Sequence, residues 1–189
     1  MRGLEGCGLK DALRLCCPSN PSFTSAPRAR QLIEELNLQP HPEGGWYREV
    51  FRSPSIVTPQ DGRPPRSALT SIYFLLETAQ HSRWHCVLSD EVWVHLEGAP
   101  LDLWTWDADN NRLHSTTLGP ANAATVPQHI VSAGLWQAAR PLADAATGYT
   151  LTACMVGPGF DFSDFRMMEP DGSEARQMTR EHPSLASLI

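Results

Sequence analysis

At 189 residues, with 41% hydrophobic and 19% charged residues, the chain can bury one good core and is too short for two ordinary domains. A formal charge of -6 supplies no basic stripe, which argues against a nucleic-acid partner. The longest apolar runs, Ser71 to Leu76 and Leu151 to Val156, fall far below the roughly 20 residues that span a bilayer, so no membrane partner is expected.

Residues 1–26 read as an N-terminal extension ending in a Pro/Ser-rich linker, P-S-N-P-S-F-T-S-A-P, with no continuous apolar segment of the kind that directs secretion. Arg2, Lys10 and Arg14 on a loosely helical apolar pattern would suit an organelle-targeting segment, but Glu5 and Asp11 oppose it, and a cytoplasmic protein is expected. The five cysteines form no disulfide framework and no paired zinc spacing, so all read as free thiols. Pro27 then starts a short amphipathic helix, with Ala29, Leu32, Ile33 and Leu36 at helical spacing.

From Trp46 the apolar period changes to two, with strands expected near 46–52, 67–77, 82–88, 91–97, 101–106, 112–118, 128–131, 135–140 and 149–157. Gly98-Ala99-Pro100, Leu118-Gly119-Pro120 and Gly157-Pro158-Gly159 are among the turns that punctuate them. The expected fold class is all-β, a jelly-roll-like barrel with one short N-terminal helix and a pocket at its mouth. The cupola of strands spans 27–168, and 169–189 reads as a turn and a peripheral C-terminal tail.

Within S-R-W-H-C-V-L-S-D-E-V-W-V-H-L-E-G, strand alternation places Glu91, Trp93 and His95 on one face, and His85 on the neighbouring strand converges with Glu91 if both point inward. An imidazole beside a carboxylate is a general-base pair. Glu91 follows His85 by six positions and Gly98 follows Glu91 by seven. That interval resembles the first conserved motif of the cupin superfamily, with His85 as its first histidine and Val87 where its second usually stands. Ser132 to Gln137 resembles the second motif, with Gln137 in place of its histidine. The runs H-P-E-G-G-W-Y-R-E-V-F-R-S, S-I-Y-F-L-L, A-G-L-W-Q-A-A and G-P-G-F-D-F-S-D-F look like the cupin family 5 branch over residues 28–168.

The resemblance implies a double-stranded β-helix, a small-molecule ligand in the barrel and pairing into a homodimer through edge strands, the strand 46–52 being suited to that. It leaves three readings of function. One is an enzyme doing acid–base chemistry of the isomerase or epimerase kind on a small polar or sugar-like metabolite, with His85 as base, Glu91 as its orienting acid and Tyr47 as proton donor. The second is a non-catalytic ligand-binding protein. The third is a metal-dependent oxygenase or isomerase in which His85 and Glu91 hold the ion. Gln137, Glu49, Arg66, Thr70, Trp93 and His95 are the expected ligand-binding residues, Arg66 and Thr70 through polar contacts to an anionic group. With Val87 and Gln137 at two histidine positions, weak or absent metal and no resident cofactor are expected; His81, His95 and His129 are the histidines able to add a ligand. Asp161 and Asp164 are expected to cap turns. Glu43-Gly44-Gly45 lacks the strand–turn–helix setting of a phosphate loop.

Overall fold

The computed structural model describes residues 27–142 and 147–189. The N-terminal extension and linker, with Cys7, Cys16 and Cys17 and the targeting reading attached to them, lie outside the described residues. Helix α1 (Pro27–Glu35) precedes thirteen strands: β1 (Gln39–Pro40), β2 (Trp46–Arg52), β3 (Ile56–Val57), β4 (Arg66–Ser67), β5 (Thr70–Glu77), β6 (Ser82–Val87), β7 (Asp90–Gly98), β8 (Leu101–Asp107), β9 (Arg112–Leu118), β10 (Gln128–Val131), β11 (Trp136–Pro141), β12 (Tyr149–Gly157) and β13 (Phe165–Met167). Helix α2 (Ser173–Glu181) and a 3-10 turn (Pro183–Leu188) close the chain. The strand reading from sequence holds closely, except that 67–77 divides into β4 and β5 at Ala68-Leu69.

Two antiparallel sheets enclose the interior, one in the order β1-β2-β5-β12-β7-β10 and the other β13-β6-β11-β8-β9, while β3 and β4 form a small ribbon. Alternation along each strand decides what is inside. On β6, β8 and β11, Trp84, Cys86, Trp104, Trp106, Trp136 and Ala138 form one cluster, whereas the alternate residues Leu103 and Ala139 join Phe74, Trp93 and Leu118 in a second. Both faces of this sheet are therefore buried, which is why these strands read as nearly continuous apolar runs.

The outer cluster needs a cover, and the C-terminal segment supplies it. Ala175, Met178, Leu185 and Leu188 are buried against the tryptophans, and the Trp84 indole donates to the Leu185 carbonyl at 3.2 Å. The stretch 169–189, read from sequence as a peripheral tail, is thus part of the core; its apolar residues are too widely spaced in a polar run to announce themselves. On the other sheet, α1 buries Ala29 and Leu32 on Leu75, Tyr149 and Leu151, and the Arg28 guanidinium meets Glu97 at 2.8 Å. No helix among the described residues is long and apolar enough to cross a membrane.

Because Met178 is fully buried, Met178→Ala is expected to lower stability by about 2–5 kcal/mol. Urea unfolding followed by tryptophan fluorescence checks this; a cost within the range of an ordinary surface substitution would show that the tail does not support the core.

Candidate functional site

A cavity of about 460 Å³ opens at one end of the barrel. Its polar lining includes His41, Glu43, Tyr47, Glu49, Arg52, Thr70, His85, Glu91, Cys154 and Asp161, and its aromatic lining Phe74, Trp93, Phe160, Phe162 and Phe165. The sequence reading of Tyr47 and Glu49 as one strand face is met, since both line the cavity while Trp46 packs under α1 and Arg48 donates to the Leu36 carbonyl at 2.8 Å. A register shift between Glu49 and Phe51 then turns Arg52 inward and leaves Phe51 exposed, which simple alternation does not foresee.

His85 and Glu91 are both buried in the lumen, as expected, but the group at the imidazole is a different carboxyl. The His85 Nδ1 lies 2.7 Å from the Arg83 carbonyl. A carbonyl can only accept, so Nδ1 carries the proton and Nε2 of the neutral ring must accept. Facing Nε2 at 3.3 Å is Glu43 Oε2, and Glu43 Oε1 accepts from the Ser82 hydroxyl at 3.0 Å. Arg83 O thus takes the orienting role that the sequence reading gave to Glu91.

Glu43 reaches this position because the two glycines after it turn the chain where a side chain could not fit. Gly44 has φ +113, and a Cβ there would stand 2.3 Å from the His81 carbonyl oxygen; at Gly45, φ +69, it would stand 2.6 Å from that of Leu75. The Glu43 carbonyl is pinned by the Arg83 amide at 2.9 Å. The Glu-Gly-Gly signal was therefore one of close backbone approach, a meaning distinct from the phosphate loop tested in the sequence.

Burial governs the protonation states. Desolvation pushes the Glu43 carboxyl up to about 8 from 4.5, so at neutral pH it holds a proton that can be donated to His85 Nε2. Desolvation also raises Glu91, to about 7, against the lowering effect of His85. The same burial lowers His85 and takes His41 down to about 4. Both imidazoles are neutral.

Gln137 lies beneath Glu91. Its Nε2 donates to Glu91 Oε2 at 2.6 Å while its Oε1 accepts from the Trp93 indole at 3.0 Å, so it positions two lining residues and does not line the cavity itself. The Cys154 thiol also sits against Glu91, and burial holds it far up its range.

Other expected residues lie elsewhere. Arg66 grips Asp164 through Nε and Nη2, both at 2.8 Å, and Arg63 joins the same carboxylate at 2.8 Å; this closed cluster leaves Arg66 off the cavity wall, and makes Asp164 an ion-pair partner. His95 stands two residues past Trp93, its Nε2 against the Ala99 carbonyl at 3.1 Å, and neither it, His81 nor His129 lines the cavity. Thr70 does line it, with Oγ1 accepting from the Phe160 amide at 2.9 Å. Asp161 caps the 3-10 turn Phe162–Asp164, accepting from Ser163 N, and also faces the cavity.

The potential metal donors of the cavity are engaged with one another. Glu91 is held by Gln137, and Gln137 turns its oxygen to Trp93. His85 Nε2 faces Glu43, and Val87 offers no donor. Among the described residues no group of three or more His, Cys, Asp or Glu side chains is arranged to hold an ion.

These protonation states set a pH dependence. Between 4.5 and about 8 the folded chain keeps on Glu43 a proton that the unfolded chain releases, so each rise in pH there favours unfolding. His41 acts oppositely, but only between about 4 and 6.5. The melting temperature is therefore expected to fall as pH rises from 6.5 to 8, and Glu43→Gln, which keeps a donor without a titration, is expected to flatten that fall. A wild-type melting temperature that rises over this window would contradict the assignment.

A family model described as "Cupin superfamily (DUF985)" matches residues 30–168. Among solved structures, a hypothetical protein from Leishmania major is similar at 33% identity and TM-score 0.72, over 85% of this chain and 96% of that one. A protein from Shewanella oneidensis is similar at 30% identity and TM-score 0.70, over 85% of this chain and 94% of that one. The capsular polysaccharide assembling protein CapF of Staphylococcus aureus, at 10% identity and TM-score 0.52 over 70% of this chain and 31% of that one, shares the fold alone. No curated protein matches. The motif resemblance, the two enclosing sheets and the extent of the family match agree: this chain belongs to the cupin superfamily, in the family described as DUF985.

Proposed function

We propose that this protein binds a small polar metabolite in the barrel cavity and performs acid–base chemistry on it, moving a proton at a carbon beside a carbonyl as isomerases and epimerases do. The observation that carries this reading is the convergence of Glu43, His85 and Glu91 in one cavity, with the two carboxyls raised by burial to about 8 and about 7. A group titrating near the working pH both takes and returns a proton readily.

Glu91 serves as the base, with Gln137 fixing one of its oxygens and leaving the group at the cavity wall. The protonated Glu43 is the acid, positioned by His85, whose Nε2 accepts from it in the tautomer that the Arg83 carbonyl fixes. Tyr47, from β2, is a second proton donor lining the same space. The reaction is balanced within the substrate, since the proton removed from one carbon is replaced on the same or a neighbouring atom. It draws on no resident cofactor or metal.

The test is solvent deuterium exchange. Purified protein in heavy water is incubated with a panel of aldoses, ketoses, amino sugars and 2-oxo acids, and mass spectrometry reads the label. Exchange into one class is expected, reduced by about 100-fold or more in Glu91→Gln and in His85→Ala. Exchange undiminished in both variants would contradict the mechanism, and a co-purifying ligand seen by native mass spectrometry without any exchange would favour the non-catalytic binding reading.

Assembly as a homodimer belongs to the same proposal. β1 pairs with Trp46 and Tyr47 of β2, so among the described residues no strand pairs with the edge from Arg48 to Arg52, beside exposed Val50 and Phe51, the features that favour strand addition. Light scattering is expected to show a dimer that Val50→Lys converts to a monomer; a monomeric wild type at micromolar concentration would contradict it.

A further inference from the structure

The ionisable side chains that line the cavity are unbalanced. Among the described residues the carboxyls of Glu43, Glu49, Glu91 and Asp161 face it against the single guanidinium of Arg52, with Glu43 keeping its proton at neutral pH. Arg52 is already engaged at the rim, its Nε and Nη2 on Glu49 at 3.0 and 2.7 Å and its Nη1 and Nη2 on the Phe160 carbonyl, each at 3.2 Å. Arg63 and Arg66 are tied into the Asp164 cluster, Arg83 is exposed and donates to the Pro42 carbonyl at 2.8 Å, and the two lining histidines, His41 and His85, are lowered by burial and contribute no positive charge at neutral pH. An anionic ligand would find no free cation among the described residues that line the cavity.

The apolar part of the lining has its own character. Phe160, Phe162 and Phe165 meet edge to face, with centroids 5.1, 5.9 and 6.1 Å apart. His41 stands edge-on to Tyr47 at 4.5 Å and stacks with Phe162 at 6.3 Å. Perpendicular rings around one space present faces as well as edges to it, and the negative faces of aromatic rings attract a cation lying within about 6 Å. Carboxyls at the depth and rim of the same space add to that attraction.

We propose that the ligand of this cavity is a small organic cation, a quaternary or protonated amine, enclosed by the phenylalanine rings and Tyr47 and paired with the carboxyls. This rests on the reading of the cavity as a small-molecule site, and it names the substrate class without depending on catalysis there. Entry of a positive charge favours the ionised forms of Glu43 and Glu91, so binding at neutral pH expels a proton from this pair, with His41, His85, Cys154, Tyr47, Glu49, Asp161 and Arg52 as the other ionisable groups on the described lining.

Calorimetric titration with choline tests the proposal, alongside two analogues in which a tert-butyl group replaces the trimethylammonium: the neutral alcohol and the corresponding carboxylate. Run at neutral pH in two buffers of different ionisation enthalpy, choline is expected to bind with proton release and at least about tenfold more tightly than the neutral alcohol. Glu91→Gln is expected to weaken choline binding and reduce the proton release. Phe162→Leu keeps an apolar side chain at a position that is 54% exposed, so it leaves the fold intact while removing a ring face, and a several-fold loss of choline affinity is expected. Equal or tighter binding of the alcohol, tighter binding of the carboxylate, or no binding of choline would each overturn the proposal. None of these readouts uses turnover, so a failed deuterium-exchange experiment and a failed cation titration are separate results.

Discussion

A carboxyl buried beside an imidazole is the constraint on which this site depends. Placing an ionised Glu43 in the barrel without a compensating charge would be costly, and the side chain avoids that cost by keeping its proton. The Arg83 carbonyl, by claiming His85 Nδ1, leaves Nε2 free to share that proton, and His41 Nδ1 stands 3.4 Å from the same carboxyl oxygen. One backbone oxygen on β6 and one glycine-rich turn before β2 therefore set the chemistry of the whole cavity. Glu91, on a different sheet, feels the same desolvation and is tied by Gln137 to Trp93, so that its basicity and its orientation are both properties of the packed interior.

The scaffold makes such burial affordable by covering both sheets. The tryptophan face beneath α2 and the Leu75–Tyr149–Leu151 face beneath α1 remove apolar surface from water on the outside of the barrel, and hydrophobic burial of this kind is the main favourable contribution to folding. The inner face is then free to carry polar groups whose placement opposes stability. A barrel stabilised from outside its own wall is a suitable host for a polar interior, and this explains why a C-terminal segment far from the cavity in sequence belongs to the same unit.

Much of this was legible in the sequence. The change of apolar period at Trp46 marks the start of the barrel, the strand boundaries follow the Gly/Pro turns, and the spacing from His85 to Glu91 to Gly98 identifies the fold family and two of the groups in the cavity. What alternation could not supply are the effects of irregularity and of long-range contact. The register shift in β2 brings Arg52 inward in place of Phe51. His41 and Glu43 lie on an irregular turn whose direction is fixed by steric contact with His81 and Leu75, residues more than thirty positions away. Arg66 read as a free cation because its partner, Asp164, follows it by 98 residues. The tail read as peripheral because the surface it covers exists only after three strands have come together.

The most direct test of the central feature is nitrogen NMR of the histidine rings, with His85 assigned by its loss in His85→Gln. The result expected is a neutral His85 ring at neutral pH with the proton on Nδ1 and a hydrogen-bonded, unprotonated Nε2 whose shift changes as Glu43 titrates near 8, a change absent in Glu43→Gln. An Nε2-protonated tautomer, or a ring already charged at neutral pH, would contradict it.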